Sequence, residues 1–307
     1  MRKFPKKISE CRTIGLVCPS SKTKEEYVPR FISKIESMGF NVKCSDNFIS
    51  DLGGYMAGDG KTRGDWVNRM FADPEVDAII CVKGGDGIGR VMEYIDYDVI
   101  RNNPKIFVGY SDITNLHMGI ANNTELVTFH GPMAASNIME DFDPETEKSF
   151  FAALNAEDKL DYFNPEGEKI GVLREGRAFG KFLGGNLSLL SAGIGTPYEI
   201  DSEGSIIFIE EVSEKMSKIE KWTCHLRNAG VFDRCSGIVL GQFTRITNKE
   251  CPEYDYLACM KDLLSGIEKP ILYNIRSGHE SPMMTLPLGA FCTIDTYKGV
   301  FRFEVNR

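Results

Sequence analysis

Ser111 occupies a position suited to a hydroxyl nucleophile. It follows the apolar run KIFVGY (residues 105–110), which predicts a strand, and a helical pattern begins at residue 112. A serine at a tight strand-to-helix turn presents its hydroxyl group outward, while the helix N-terminus supplies unpaired N–H groups for an oxyanion. The motif departs from G-x-S-x-G because Ile113 replaces the second glycine. The alternative is that Ser111 and Asp112 only cap the helix.

A glycine-rich stretch, VKGGDGIGR, follows a second apolar run, AIICV (residues 78–82). Glycines let backbone amides approach an anion closely. An amide of the turn formed by Gly84 and Gly85, opposite the amide of Asp112, could therefore bind an oxyanion. A phosphate would suit the same loop, so a nucleotide-binding, kinase-like protein is an alternative from another functional class.

A hydroxyl nucleophile needs a base, and the sequence contains four histidines. His117 would lie about two turns into the helix that begins near Ser111, too far along to reach back to it. His225 falls in a charged helical pattern and is expected to be solvated. His130 is expected to be a structural histidine with satisfied nitrogens. His279 lies in the loop sequence SGHESPMM between predicted strands, and it is the best candidate for the base.

The base needs an acid that accepts the imidazole N–H and fixes its tautomer. The run SIIFIEEVSE ends an apolar strand with Glu210 and Glu211. These two side chains point to opposite faces if the strand persists, so one of them should face a cleft. A solvated turn is the alternative for such a pair.

The elements that must position these residues alternate along the first half of the chain. Apolar runs predict strands at residues 13–18, 41–44, 78–82, 105–110 and 127–132, with helical patterns at 24–38 and 112–121. This alternation predicts βαβ units and a parallel sheet, with reactive groups at the carboxyl ends of the strands. Residues 1–140 would form this α/β unit. A linker, residues 141–175, with a short helix at 146–155, would follow it.

The second unit, residues 176–307, would be a smaller mixed β/α domain. Its predicted strands are residues 205–209, 237–240, 271–273, 290–294 and 300–303, with helices near 215–229 and 254–266. The candidate acid and base fall in this unit, so the two halves of the chain would have to meet at the site.

Composition excludes several classes of protein. Thirty-six basic and 44 acidic residues give a net charge of −8, which disfavours a nucleic-acid partner. Nine cysteines without a C-x-x-C pair favour reduced thiols over a disulfide framework or a zinc site. The apolar run near the N-terminus is too short for a signal peptide or a membrane span. We therefore expect a cytoplasmic protein with no metal and no membrane association.

Taken together, the motifs resemble those of the LD-carboxypeptidases, a family that includes muramoyltetrapeptide carboxypeptidases and microcin C self-immunity hydrolases. The resemblance covers nearly the whole chain and rests on GLVCPSS, VKGGDG, FVGYSDIT, FHGPM, GGNLSLLSAGIGTPY, IIFIEEVSE, GVFDRCSGIVLGQF and GHESPMMTLPLGA. It implies a flavodoxin- or amidotransferase-like N-terminal α/β domain and a swivelling C-terminal β/α domain. It also implies a homodimer that needs no cofactor.

The resemblance assigns roles to the candidate residues. It implies a catalytic triad with Ser111 as nucleophile, Glu210 as acid and His279 as base. The expected oxyanion and substrate-binding residues are Gly84, Gly85, Asp112 and, in the GGNLSLL motif, Asn186.

Two substrates are compatible with such a triad. We expect cleavage of an L,D-peptide bond that releases D-alanine from a cytoplasmic murein tetrapeptide, in peptidoglycan recycling. The alternative is hydrolysis of a peptidyl or aminoacyl nucleotide, which gives antibiotic self-immunity. The sequence KGGDG, with Asp86 where carboxypeptidases of the family often have an aromatic residue, departs from the carboxypeptidase pattern. The motif GHE and a short connection at residues 164–181 favour the carboxypeptidase.

Overall fold

The computed structural model describes residues 3–140 and 142–306. The strands are β1 (Thr13–Val17), β2 (Asn41–Cys44), β3 (Ala78–Cys81), β4 (Ile106–Gly109), β5 (Thr128–His130), β6 (Lys159–Asp161), β7 (Gly171–Arg174), β8 (Arg177–Asn186), β9 (Ile206–Val212), β10 (Gly237–Thr244), β11 (Ile271–Tyr273), β12 (Leu286–Leu288), β13 (Phe291–Asp295) and β14 (Val300–Glu304). The α-helices are α1 (Val28–Ser37), α2 (Gly60–Ala72), α3 (Tyr97–Asn102), α4 (Thr114–Asn123), α5 (Pro144–Asn155), α6 (Leu187–Gly193), α7 (Met216–Asn228), α8 (Val231–Arg234) and α9 (Tyr256–Leu263).

The first sheet has six strands in the order β12-β5-β4-β3-β1-β2. Strands β1 to β5 are parallel, and the edge strand β12 is antiparallel to β5. Strands β3 and β4 are buried at every residue, as expected for a parallel sheet with both faces covered. The α/β class and the parallel sheet predicted from the sequence are confirmed.

The second sheet has eight strands in the order β6-β14-β13-β8-β9-β10-β11-β7. Its centre, β8 to β11, is parallel, and the flanking strands are antiparallel. Strands β6, β7 and β8 of this sheet are absent from the sequence-based prediction, as is β12 of the first. In parallel strands the carboxyl ends lie at the same edge of the sheet, so β8, β9 and β10 bring the residues that follow them together.

The two sheets are connected by more than one passage of the chain. Residues 141–175, the expected linker, contain α5, β6 and β7, and Asp141 lies outside the described residues. Strand β12 returns from the second half to pair with β5, with Leu286 opposite His130. One buried apolar cluster includes side chains from both sheets, such as Val108 and Phe208. The segment that carries His279 therefore runs from β11 of the second sheet to β12 of the first.

Candidate active site

Ser111 follows β4 in a strained turn. Its φ of 63° lies in the left-handed region, which non-glycine residues rarely adopt. Residues Ser111–Ile113 form a single 3-10 turn that leads into α4. The carbonyl group of Ser111 accepts a hydrogen bond from the hydroxyl group of Thr114 at 2.7 Å. The same Thr114 hydroxyl accepts the backbone N–H of Asn186 at 3.0 Å, which ties this turn to the end of β8.

His279 and Glu210 form a buried pair. Nδ1 of His279 lies 2.7 Å from Oε2 of Glu210, and the Glu210 side chain is fully buried. Gly278 makes this approach possible, because a Cβ atom there would lie 2.8 Å from the Gln242 Cβ and 3.2 Å from Oε2 of Glu210. The ring of Tyr110, the residue before Ser111, meets the His279 ring edge-on with centroids 4.9 Å apart. The imidazole therefore stands beside the strand that ends at the candidate nucleophile.

The second imidazole nitrogen of His279 is available for a proton. Within the described residues, Nε2 is buried and has no hydrogen-bond partner. Burial by itself lowers the pKa of His279, but the Glu210 carboxylate raises it through its charge and its hydrogen bond, and the net pKa is above the ordinary value. A carboxylate on Nδ1 also fixes the tautomer that leaves Nε2 free to act as a base.

The two consecutive glutamates have different partners because β9 continues to Val212. Glu211 accepts hydrogen bonds from Nδ2 of Asn186 at 2.7 Å and from the backbone N–H of Ser188 at 2.9 Å. Burial and the Glu210 charge raise the pKa of Glu211. The Oδ1 atom of Asn186 accepts from the Ser188 hydroxyl at 2.6 Å. The Asn186 side chain therefore caps the N-terminus of α6 and holds Glu211 in place.

The glycine loop lies directly against the turn that contains Ser111. A Cβ atom at Gly84 would lie 2.9 Å from the Ser111 Cβ and 3.1 Å from its Oγ. Gly85 has a φ of 114°, and a Cβ atom there would lie 2.2 Å from Oγ of Ser21. That hydroxyl accepts the backbone N–H of Asp86 at 3.0 Å. The loop and Ser111 are thus adjacent, as an oxyanion site made of backbone amides requires.

The side chain of Asp112 is buried and holds this loop in place. Its Oδ2 accepts the backbone N–H of Ile88 at 2.9 Å and the hydroxyl group of Ser20. Burial is the main cause that raises the pKa of Asp112 to about 6. The sequence indicates a role for the amide of Asp112 but not for its side chain, and nothing local marks Ser20, although the motif GLVCPSS contains that residue.

Arg63 is a second support of the loop that sequence analysis missed. Its side chain is fully buried, and Nη1 donates to the carbonyl groups of Pro19 and Gly87, each at 2.9 Å. A buried guanidinium group needs several such acceptors. Nothing in the local sequence marks Arg63, because its partners are backbone atoms of distant segments.

Within the described residues, none of the other three histidines hydrogen-bonds to Ser111, Glu210 or His279. His117 is buried in α4 and bonds Thr128 and the carbonyl group of Gly109. His225 is exposed on α7 and bonds Ser191. His130 is fully buried between Tyr110 and Phe208, but neither ring nitrogen has a partner within the described residues. The expectation that His130 is satisfied is therefore wrong, because its pocket is lined by aromatic rings.

The site combines a serine in a strained turn, an imidazole–carboxylate pair and a glycine loop. These are the components of a serine hydrolase. Across residues 3–140 and 142–306, no three His, Cys, Asp or Glu side chains are placed together to hold a metal ion. The same part of the chain contains no helix that is long and apolar enough to cross a bilayer.

Comparison with known proteins identifies the family. Residues 14–131 match the LD-carboxypeptidase N-terminal domain, and residues 179–294 match the LD-carboxypeptidase C-terminal domain. A probable murein peptide carboxypeptidase of Bacillus subtilis is 35% identical over 95% of this chain and 91% of its own length. The chain belongs to the LD-carboxypeptidase family and is a serine-type carboxypeptidase, which confirms the resemblance seen in the sequence.

This chain is also similar to relatives with a different named role. The microcin C7 self-immunity protein MccF of Escherichia coli is 30% identical over 92% of this chain and 90% of its own length. A structure of MccF in complex with glutamyl sulfamoyl guanosine superposes with a TM-score of 0.89 at 26% identity, covering 98% of both chains. The family comparison therefore establishes a peptidase and leaves two substrate classes.

Proposed function

We propose that this protein hydrolyses the L,D-peptide bond of a murein tetrapeptide and releases its terminal D-alanine. The buried pair formed by His279 and Glu210, with Nε2 unengaged and the imidazole packed on Tyr110, the residue before Ser111, is the observation that carries the proposal. The 35% identity to a probable murein peptide carboxypeptidase supports this substrate. The reaction would serve peptidoglycan recycling in the cytoplasm.

The proposed mechanism uses three side chains. Ser111 attacks the amide carbonyl as Nε2 of His279 takes the hydroxyl proton, and the imidazolium then gives that proton to the leaving amine of D-alanine. A water molecule, deprotonated by the same imidazole, hydrolyses the acyl-enzyme and regenerates Ser111. Glu210 orients the ring and stabilises its charged form. Nε2 has no partner within the described residues, and catalytic hydrogen bonds of this kind often tighten only when the substrate binds.

Backbone amides would stabilise the oxyanion. We assign this role to the amide of Asp112 and to the turn at Gly84 and Gly85, since these lie on either side of Ser111. Asn186 ends β8 of the second sheet, opposite Glu210 of β9, and its side-chain contacts with Glu211 and Ser188 support a role in positioning the cleft wall.

The second candidate is a peptidyl or aminoacyl nucleotide as the substrate. The self-immunity relative and its complex with a sulfamoyl nucleoside support this candidate. The kinase-like alternative loses its support, because the glycine loop on which it rested packs against Ser111 in a family of peptidases.

One experiment separates the two substrates. The protein is incubated with a defined murein tetrapeptide and with a nucleotide-linked peptide, and the products are followed by mass spectrometry. We expect D-alanine release from the tetrapeptide, and loss of about 10⁴-fold or more in turnover for Ser111→Ala. Ser37→Ala, at an exposed serine of α1, is the matched control and should retain full activity. Cleavage of the nucleotide conjugate alone would contradict the proposal.

The family resemblance also leads us to propose a homodimer. Size-exclusion chromatography with light scattering tests it, and a mass of one chain, 34.4 kDa, at micromolar concentration would contradict it.

A further inference from the structure

Backbone strain marks a second group of residues at the end of the sheets. Within the described residues, four that are not glycine have a left-handed φ: Ser111, Ser213, Arg245 and Asn274. Each one follows a parallel strand within two residues, namely β4, β9, β10 and β11. Strained backbone persists where the surrounding structure enforces it, and it concentrates at functional sites. Ser111 is the nucleophile of the proposed triad, and we therefore expect a function of Ser213 and Arg245 as well.

Ser213 directs the side chain of Arg245. Strands β9 and β10 end side by side, and the backbone N–H of Ser213 donates to the carbonyl group of Thr244 at 2.9 Å. The Nε atom of Arg245 then donates to the hydroxyl group of Ser213 at 2.9 Å. Within the described residues, the two terminal nitrogens of Arg245 have no hydrogen bond or ion pair, and the residue is exposed. The guanidinium group is thus oriented through Nε, and its Nη1 and Nη2 atoms remain free to bind a ligand.

Arg245 lies at the strand end that carries Glu210, because Thr244, the residue before Arg245, pairs with Val212, two residues after Glu210. Burial has the largest effect on the pKa of both neighbouring groups: it lowers the pKa of His279 and raises that of Tyr110. The positive charge of Arg245 also acts on both groups and lowers both pKa values. The two acids of β9 at this edge, Glu210 and Glu211, are buried and already bonded to other partners. A substrate anion that enters here needs a cation, because the buried carboxylates would otherwise repel it.

We propose that Arg245, oriented by Ser213, binds the terminal carboxylate of the substrate and so determines that the enzyme removes a C-terminal residue. This inference rests on the proposed function, since it assigns the feature of the tetrapeptide that the site recognises. The planar guanidinium fork matches a carboxylate with two parallel N–H···O bonds, which a lysine ammonium group cannot reproduce.

The test compares two substrates that differ in one charge. The tetrapeptide with a free terminal carboxylate and the same peptide as its C-terminal carboxamide are assayed with wild-type protein, Arg245→Ala and Arg245→Lys. For Arg245→Ala we expect kcat/KM on the free acid to fall about 10- to 100-fold, mainly through KM, with less than about a twofold change on the carboxamide. Arg245→Lys should recover part of the loss. Lys249→Ala, an exposed cation on the same loop, should change neither.

Binding measurements keep this inference separate from the proposed function. Calorimetry with Ser111→Ala measures the affinity for both peptides, with and without Arg245→Ala. If the free acid binds more tightly than the carboxamide only when Arg245 is present, the inference holds even where turnover is slow. Equal loss on both peptides, or weakened binding of a nucleotide conjugate alone, would overturn it. Absence of any tetrapeptide binding would overturn the proposed function and this inference together.

Discussion

The backbone nitrogen of Ile88 lies 2.9 Å from Oδ2 of Asp112, and this hydrogen bond joins the glycine loop to the residue that follows Ser111, the proposed nucleophile. The Ser20 hydroxyl donates to the same oxygen. This buried carboxyl group thus helps to fix the amide of Asp112 and the amides of the loop relative to each other. An oxyanion site works because its donors are already in place before the reaction.

Asp112→Ala should therefore impair catalysis more than substrate binding. We expect kcat to fall about 10- to 100-fold with KM nearly unchanged, because the loop donors lose their alignment. Stability should fall by about 1–3 kcal/mol, since the Ile88 N–H and the Ser20 hydroxyl lose their acceptor. Steady-state kinetics and urea unfolding measure the two effects.

The conservative variant decides whether the hydrogen bond is the cause. Asp112→Asn keeps an acceptor oxygen and should retain most of the activity, and Asp86→Asn, at an exposed side chain of the same loop, should retain all of it. An Asn variant as impaired as the Ala variant would show that the charge, and not the bond to Ile88, matters.

Gly84→Ala tests the contact between the loop and the nucleophile. The added Cβ would lie 2.9 Å from the Ser111 Cβ, closer than such atoms approach in proteins, so the serine or the loop must shift. A shift of this kind misaligns the reacting atoms, and we expect kcat/KM to fall about 100-fold. Gly266→Ala is the control, because a Cβ added there would meet no atom within 4 Å beyond its chain neighbours, and the φ of Gly266 is not positive. Unchanged kinetics for Gly84→Ala would place the site elsewhere.

The pH dependence of kcat/KM should report His279. The imidazole must be neutral to act as a base, so activity rises with pH through its pKa. The Glu210 carboxylate holds that pKa above 6.5. Glu210→Gln removes the charge and leaves burial to lower the pKa, so the acid limb of the profile should move to lower pH. We expect kcat to fall about 10³- to 10⁴-fold as well, because the ring loses its tautomer and orientation.

A second group titrates in the same range and must be distinguished. The pKa of Asp112 is raised to about 6, so it could also shape the acid limb. An acid limb that keeps its position in Glu210→Gln would assign it to a group other than His279.

The sequence was informative where local pattern decides structure. Strands β2 and β11 were predicted with their observed bounds. The candidate residues Ser111 and Glu210 were found because each lies at or just beyond an apolar strand, and His279 was found because the sequence has four histidines and this one lies in a glycine-preceded loop between strands. Composition and pattern also predicted the α/β class. These predictions use only residues that are neighbours in the sequence, so one sequence is enough to make them.

The missed elements depend on partners that are distant in the sequence. Strand β8 contains three glycines, which disfavour a strand, but Gly180 and Gly184 pass so close to other backbone segments that a Cβ would lie 2.0 Å from the Gly204 oxygen and 1.9 Å from the Phe208 oxygen. Helix α2 was missed for a similar reason, because it contains Gly64, which packs closely against the distant residue Tyr94. The bonds of Asp112 and Arg63 also join remote segments, so no local pattern could reveal them.

His130 offers a test of stability that is separate from catalysis. Burial holds its pKa well below 6.5, and neither ring nitrogen has a partner in the described part of the chain. The unfolded chain binds a proton on this ring as the pH falls below about 6.5, whereas the folded chain does not, so the folded state loses stability in that range. His130→Phe removes both the unpaired nitrogens and this proton uptake, among aromatic neighbours that suit a ring.

We therefore expect His130→Phe to match or exceed the wild-type free energy of unfolding at pH 7.5, and to lose less of it at pH 5. Urea unfolding at the two pH values measures the difference. His117→Phe is the contrasting variant: the pKa of His117 is also lowered by burial, to about 4, but its two hydrogen bonds, to Thr128 and Gly109, would be lost, so this variant should be less stable at pH 7.5. If His130→Phe were the less stable of the two at neutral pH, the His130 ring would have to be engaged in a polar contact that stabilises the folded state.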